Sequence, residues 1–260
     1  MPLALRPARD ADYDFYVRLM PELAVGDPPA APEKWKATQL ADTLIAERGG
    51  VAVGICWWQQ LAGNGYVRHL IVAPEARRLG VGRALLEDVA WRLRAAGCTT
   101  WRLNVKPDNA PAIALYRALG MSREYRSNSL RVDWPVLERL PATTLQATLV
   151  EPADDAALEA AFSLPAGQVA HDRRTGRVLL RVGPPLVGFA AFNPDFPGSF
   201  PFRARSSEAA RALLEAMRAH SRPGATYAGV VVENDDALAA TLRAAGAVLR
   251  LEFDHYSGAL

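Results

Sequence analysis

The 260-residue chain has only two cysteines, Cys56 and Cys98. Two thiols cannot make a disulfide framework, and they show none of the spacing of a metal site. Excess charge is missing as well: 30 Lys and Arg against 28 Asp and Glu leave +2. A protein held to nucleic acid by phosphate neutralisation needs a clear basic surplus, so this balance argues against that class. The longest nearly apolar run, Val51–Trp58, has eight residues, whereas a membrane helix needs about 18 or more. The opening residues Met1-Pro2-Leu3-Ala4-Leu5-Arg6-Pro7 lack the basic segment and apolar stretch of a signal peptide. What the chain does have is core material. It is 50% hydrophobic and 22% charged, which excludes disorder, and its length suits two domains of roughly 100–200 residues. These observations imply a soluble, cytoplasmic, two-domain protein with neither membrane nor nucleic acid as partner.

Periodicity divides the first half into elements. Leu3–Arg6 alternates like a short strand, and Asp10 caps a helix expected to reach Leu23, with Phe15, Leu19 and Leu23 on one face. Pro28, Pro29 and Pro32 then force a loop, with a short helix expected over 33–40. A meander over 43–47, 51–59 and 66–72 follows. Gly82–Ala96 predicts an amphipathic helix, with Leu85, Leu86, Val89 and Leu93 facing the core and Gly97 ending it. A strand over 100–105, a helix over 111–119 and a strand over 129–134 complete this half.

The second half echoes the first. Residues 150–156 resemble 5–11, 212–215 resemble 84–87, and 242–246 resemble 116–120, with offsets of 145, 128 and 126. The order is kept while the offset shrinks, which points to an internal repeat whose second copy lacks most of the proline-rich loop. The boundary is expected near Leu140-Pro141-Ala142-Thr143, giving domains over 1–141 and 142–260.

The most informative stretch is Val72-Ala73-Pro74-Glu75-Ala76-Arg77-Arg78-Leu79-Gly80-Val81-Gly82-Arg83-Ala84. A strand ends, and glycines lead into a helix. Small residues there admit a ligand to the backbone. The unpaired N–H groups and dipole of the helix start favour an anion, with Arg77, Arg78 and Arg83 adding charge. A P-loop would place Lys-Ser/Thr after Gly82, where Arg83-Ala84 stands. A dinucleotide fingerprint would start at the strand end and carry a third glycine at position 85, which is Leu.

Arg77-Arg78-Leu79-Gly80-Val81-Gly82, preceded by Val72-Ala73-Pro74, is similar to the Arg/Gln-x-x-Gly-x-Gly/Ala signature of the Gcn5-related N-acetyltransferases. Asn109-Ala110-Pro111-Ala112-Ile113-Ala114-Leu115-Tyr116-Arg117-Ala118-Leu119-Gly120-Met121 resembles that family's second motif, with Met where Phe is usual. The resemblance covers about residues 3–134. It implies an α/β (α+β) fold, a mixed and mostly antiparallel sheet flanked by helices, here present twice, and direct acetyl transfer from acetyl-CoA to an amine. It also implies that the backbone from Arg78 to Ala84, through Leu79, Gly80, Val81, Gly82 and Arg83, faces the pyrophosphate. Leu70 and Val72 pair with the pantetheine arm on a splayed strand, Asn109 orients that arm, and Tyr116 acts as general acid. No metal is implied.

The general base is open. The strand where many relatives carry a glutamate has Tyr66, Arg68 and His69. His69 titrates in a suitable range but also reads as a hydrogen-bonded strand histidine, and water-mediated deprotonation is an alternative. Glu22, Asp27, Glu33 and Trp35, with one of Trp57 and Trp58, would suit a small cationic amine, although charges on loops are usually solvated. In the second copy Gly80 and Gly82 correspond to Glu208 and Ala210, and Tyr116 to Leu242. That copy is expected to be a degenerate acetyltransferase-like domain that packs against the first and limits acceptor access. A non-catalytic acyl-CoA-binding or scaffold protein, and an acetyltransferase acting on protein N-termini or lysines, remain alternatives.

Overall fold

The computed structural model describes residues 2–24, 26, 28–61 and 63–260. Two compact units emerge, one formed by Met1–Glu124 with Asp254–Leu260, the other by Tyr125–Phe253.

The first repeat runs β1 (Leu3–Pro7), α1 (Tyr13–Leu19), α2 (Pro32–Thr38), β2 (Thr43–Arg48), β3 (Val51–Leu61), β4 (Asn64–Val72), α3 (Val81–Ala95), β5 (Thr100–Val105), α4 (Ala110–Ala118) and β6 (Ser122–Asp133). The second runs β7 (Ala147–Leu149), α5 (Asp155–Ala161), α6 (Gln168–Arg174), β8 (Val178–Val182), β9 (Gly188–Asn193), β10 (Gly198–Ala204), α7 (Ser207–Ala219), β11 (Tyr227–Glu233), α8 (Asp236–Ala244) and β12 (Val248–Ala259). Element for element, the order is the same. The helix expected over 10–23 is shorter and flanked by 3-10 turns at Asp10–Asp12 and Met20–Leu23. Pro21 has no N–H to continue the α-helical ladder, and Ala24 ends the segment in the left-handed region at φ 52°.

In the first unit β1 to β4 form an antiparallel meander, β4 and β5 run parallel, and residues 254–259 of β12 pair antiparallel with β5. Helices α3 and α4 cover one face. Leu85, Leu86, Val89 and Leu93 are buried there, as the helical period predicts. Helices α1 and α2 cover the other face with Phe15, Tyr16, Leu19 and Trp35 against Ile45, Ile55 and Ile71.

In the second unit β7, β8, β9 and β10 are antiparallel, β10 pairs parallel with β11, and β11 pairs antiparallel with β6 over residues 127–133. Its larger core joins Leu213, Leu214 and Met217 of α7 to Val230, Val232, Phe202 and Leu242. The expected division at 141/142 does not coincide with these units. Each repeat's last strand pairs with the fifth strand of the other repeat: β6 with β11, and β12 with β5. Main-chain pairing therefore assigns most of β6 to the second unit and the end of β12 to the first. Among the described residues, no helix is long and apolar enough to cross a membrane.

Candidate active site

A β-bulge in β4 creates the site. Trp57 faces His69 and Trp58 faces Val67 across the β3 ladder, so Arg68 is an extra residue. The parallel ladder to β5 ends at the same place, with Val67 opposite Leu103, although β4 continues to Val72 and β5 to Val105. A bulge bends its strand and raises the local twist. Beyond it the two strands part, as expected from the sequence.

The cleft has a volume of about 680 Å³ and is lined by β4, the loop after it, the start of α3 and one face of α4. Leu70, Val72, Arg77, Arg78, Gly80, Val81, Gly82, Arg83, Asn109 and Tyr116 all line it. Leu79 and Ala84 do not share that lining. Leu79 is 48% exposed, and the Ala84 N–H is spent on the Gly80 carbonyl at 3.0 Å. The unpaired donors at the helix start are thus those of Val81, Gly82 and Arg83.

The two glycines have different causes. Gly80 sits at φ +80° with no atom within 4 Å of an added Cβ, so conformation rather than space demands it. At Gly82 an added methyl would meet Leu115 at 3.3 Å and Val72 at 3.7 Å, which would fill the cleft floor. Arg78 is also left-handed, at φ 63°. Arg77 is committed rather than free: its Nε donates to the Val72 carbonyl at 3.1 Å and its Nη2 to Glu22 Oε2 at 2.5 Å. Asn109 caps α4, accepting from the Ala112 N–H at 3.3 Å, while lining the cleft.

Tyr116 is 6% exposed. Burial, followed by the nearby Cys56, pushes its phenol well above the ordinary range, so it is a neutral acid at any physiological pH. Its ring lies 6.3 Å from that of Tyr256, tilted by 53°.

His69 points elsewhere. The bulge turns it with Ile71 toward α1 and α2, while Val67, Leu70 and Val72 join the α3 side. Its ring stacks on Tyr16 at 6.4 Å and meets Trp57 edge-on at 4.9 Å. Burial, with the Arg68 charge second, lowers its pKa to about 4. A base that weak is a poor match for an alkylammonium ion of pKa near 10.

The acidic and aromatic pocket does not assemble from the expected residues. Glu22 is neutralised by Arg77, Glu33 is exposed, Trp35 is buried against Tyr16, and Trp58 lies in the α3 core. Asp27 lies outside the described residues. Among the described residues, no group of three or more His, Cys, Asp or Glu could hold a metal ion. Tyr256 was not legible as a site neighbour: it lies in the second repeat, and its local sequence does not name the strand it pairs with.

The corresponding place in the second unit is built differently: a cavity of about 460 Å³ at the start of α7 is lined by residues 142–145, Ser206 and Glu208. In β10 an extra residue also interrupts the ladder between Ser199 and Phe202, yet pairing with β11 resumes at Phe202–Val232. The first turn of α7 is occupied by its own cap, the Ser206 hydroxyl accepting from Ala209 N–H at 3.2 Å. Glu208 stands beside it, and Leu242 is fully buried in the core.

The model of the Acetyltransferase (GNAT) family matches residues 13–121, which span β3, the bulged β4, the glycine-led α3 and the Tyr116 helix. This stretch of the chain is similar to the GNAT acetyltransferase family. The GNAT fold extends over the whole chain. A GCN5-related N-acetyltransferase from Sphaerobacter thermophilus aligns over 99% of this chain and 95% of its own, at 18% identity and TM-score 0.72. A GCN5-related glucosamine N-acetyltransferase region of a fungal multi-domain GH3 beta-N-acetylglucosaminidase aligns over 98% of this chain and 38% of its own, at 15% identity and TM-score 0.69. Such identities speak to fold alone. The Escherichia coli [ribosomal protein bS18]-alanine N-acetyltransferase is 44% identical over 54 residues, 21% of this chain. That match spans about a third (36%) of the length of the curated relative.

Proposed function

We propose that the chain is an N-acetyltransferase that takes acetyl-CoA as cosubstrate and a primary amine as acceptor, with its chemistry in the first unit. The observation that carries this reading is a single cleft joining the parted edge of β4, the unpaired start of α3 and the Tyr116 side chain. The N–H groups of Val81, Gly82 and Arg83 suit a pyrophosphate, and Arg78 and Arg83 add positive charge beside it. The β4 edge beyond Val67 offers main-chain groups to an extended, amide-bearing arm, as a strand edge does to a peptide. The bare floor at Gly82 leaves room for a ligand to reach the helix start.

The acceptor nitrogen attacks the thioester carbonyl. Its bond to carbon forms as the carbon–sulfur bond breaks, and the sulfur leaves with the bonding pair. Tyr116 gives its proton to that sulfur, while the proton of the amine leaves to solvent. The surroundings that raise the Tyr116 pKa also disfavour a bare thiolate, so the proton affinities of the two groups rise together. Positioning of the two reactants supplies a large part of the acceleration.

A small-molecule amine is the first reading for the acceptor. The second is an alanine α-amino group at the start of a protein, and the 54-residue match to the bS18-alanine enzyme favours it. The test is thiol release from acetyl-CoA against a panel of polyamines, amino acids, aminoglycosides and alanine-initiated peptides. Turnover on any of them that falls about 10²–10⁴-fold in Tyr116→Phe supports the reading. No turnover on the panel, or a fall below about threefold in the variant, counts against it.

A further inference from the structure

We infer that Tyr256 is a positioning residue for Tyr116, so that the last strand of the chain is a working part of the first unit's site. The inference rests on the reading of Tyr116 as the acid. Residues 254–259 of β12 pair with β5, with Tyr256 directly opposite Leu103. That register sends the Tyr256 ring to the face that carries α3 and α4, where Leu103, Tyr116 and Tyr256 share one core cluster. Tyr256 is 1% exposed and is among the largest fully buried side chains.

Tyr116 needs such support because its hydroxyl is not fixed by hydrogen bonding. Among the described residues, no side chain or backbone group bonds it; its main chain is held, the Leu119 and Met121 N–H groups donating to the Tyr116 carbonyl at 3.0 and 3.1 Å. With only its χ1 and χ2 torsions to settle, the ring takes its place from what it packs on. Tyr256 is the aromatic ring against it, at 6.3 Å between centroids. A displacement of about 1 Å in a catalytic group can cost about 10²-fold in rate. The strand that carries Tyr256 is anchored past it as well, by the Leu260 N–H on the Thr99 carbonyl at 2.9 Å. The repeat that carries Leu242 in place of the tyrosine therefore supplies a wall for the acid of the other.

The experiment is steady-state kinetics on Tyr256→Leu and Tyr256→Phe in the full chain, each also made in the Tyr116→Phe background, with rates normalised to acetyl-CoA-binding sites. Tyr256→Leu should lower kcat about tenfold or more with the KM for acetyl-CoA within threefold, and Tyr256→Phe, which keeps the ring, should restore kcat to within about threefold. In the Tyr116→Phe background, Tyr256→Leu should cost little more, since there is no acid left to place. Normalisation to binding sites removes any loss of folded protein from the comparison. A per-site kcat within threefold in Tyr256→Leu overturns the inference, and so does an equal fall in both backgrounds. If Tyr116→Phe is itself silent, the acid role fails first and the inference with it. If Tyr116→Phe is slow while Tyr256→Leu is not, only the positioning role is lost.

Discussion

Replacing His69 with Phe separates a structural histidine from a catalytic one. The folded protein lowers the His69 pKa from 6.5 to about 4 because the ring is half-buried between Tyr16 and Trp57 beside the Arg68 charge. Between those two values the unfolded chain binds a proton that the folded chain refuses. Stability from this group is therefore complete above about pH 6.5 and is lost as the pH falls toward about 4. The full span is worth about 3 kcal/mol, of which about 2 kcal/mol is gone by pH 5. Phe keeps an aromatic ring in the same slot and cannot charge. The difference in melting midpoint between wild type and His69→Phe should thus move by roughly 4–8 °C in favour of the variant between pH 7.5 and pH 5. Scanning calorimetry of both proteins at the two pH values measures it, and contributions from other titrating groups cancel in the difference. A difference that stays constant within about 1 °C would refute the half-buried, neutral histidine. Loss of more than about tenfold in kcat/KM at pH 7.5 in the same variant would return His69 to the role of proton acceptor.

Three further outcomes follow from the same contacts. Gly80→Ala should cost about 1–2 kcal/mol, because alanine pays a steric cost at φ +80°; an unchanged melting curve would contradict the conformational argument. A chain ending after Pro141 should aggregate in size-exclusion chromatography, since β6 loses β11 along residues 127–133 and β5 loses β12; a folded monomer would show that the exchanged strands are dispensable. Arg77→Ala should loosen the 20–24 segment as well as the cofactor loop, because the Arg77 side chain ties Val72 to Glu22. Faster amide exchange at residues 20–24 measures this, and unchanged exchange would show that the Lys106 bond to the Ala24 carbonyl suffices.

What the sequence revealed was local. The period of α3, the glycines before it and the second motif around Tyr116 depend on neighbours within a few turns, and the structure brings them to one cleft. The repeat was legible for the same reason, as short echoes in a fixed order. Two features were hidden because they depend on distant pairing. Strict alternation puts Val67 and His69 on one face, but the extra residue at Arg68 moves them to opposite faces. That single bulge decides that His69 leaves the cleft. The partner of β12 lies far earlier in the chain at β5, Tyr256 facing Leu103, and nothing in an alternating pattern specifies which edge it will join. The different build of the second unit was foreshadowed by Glu208, Ala210 and Leu242, while the resumed ladder at Phe202 required the strand register.

The central claim is that one cleft, in the first unit, receives acetyl-CoA through the glycine-led start of α3. Isothermal titration of the full chain with acetyl-CoA tests it most directly. The account predicts one site per chain, lost by at least tenfold in affinity in Gly82→Asp, where a carboxylate would fill the floor against Leu115 and Val72 and face the phosphates with like charge. Two equivalent sites, or unchanged binding in Gly82→Asp, would contradict it.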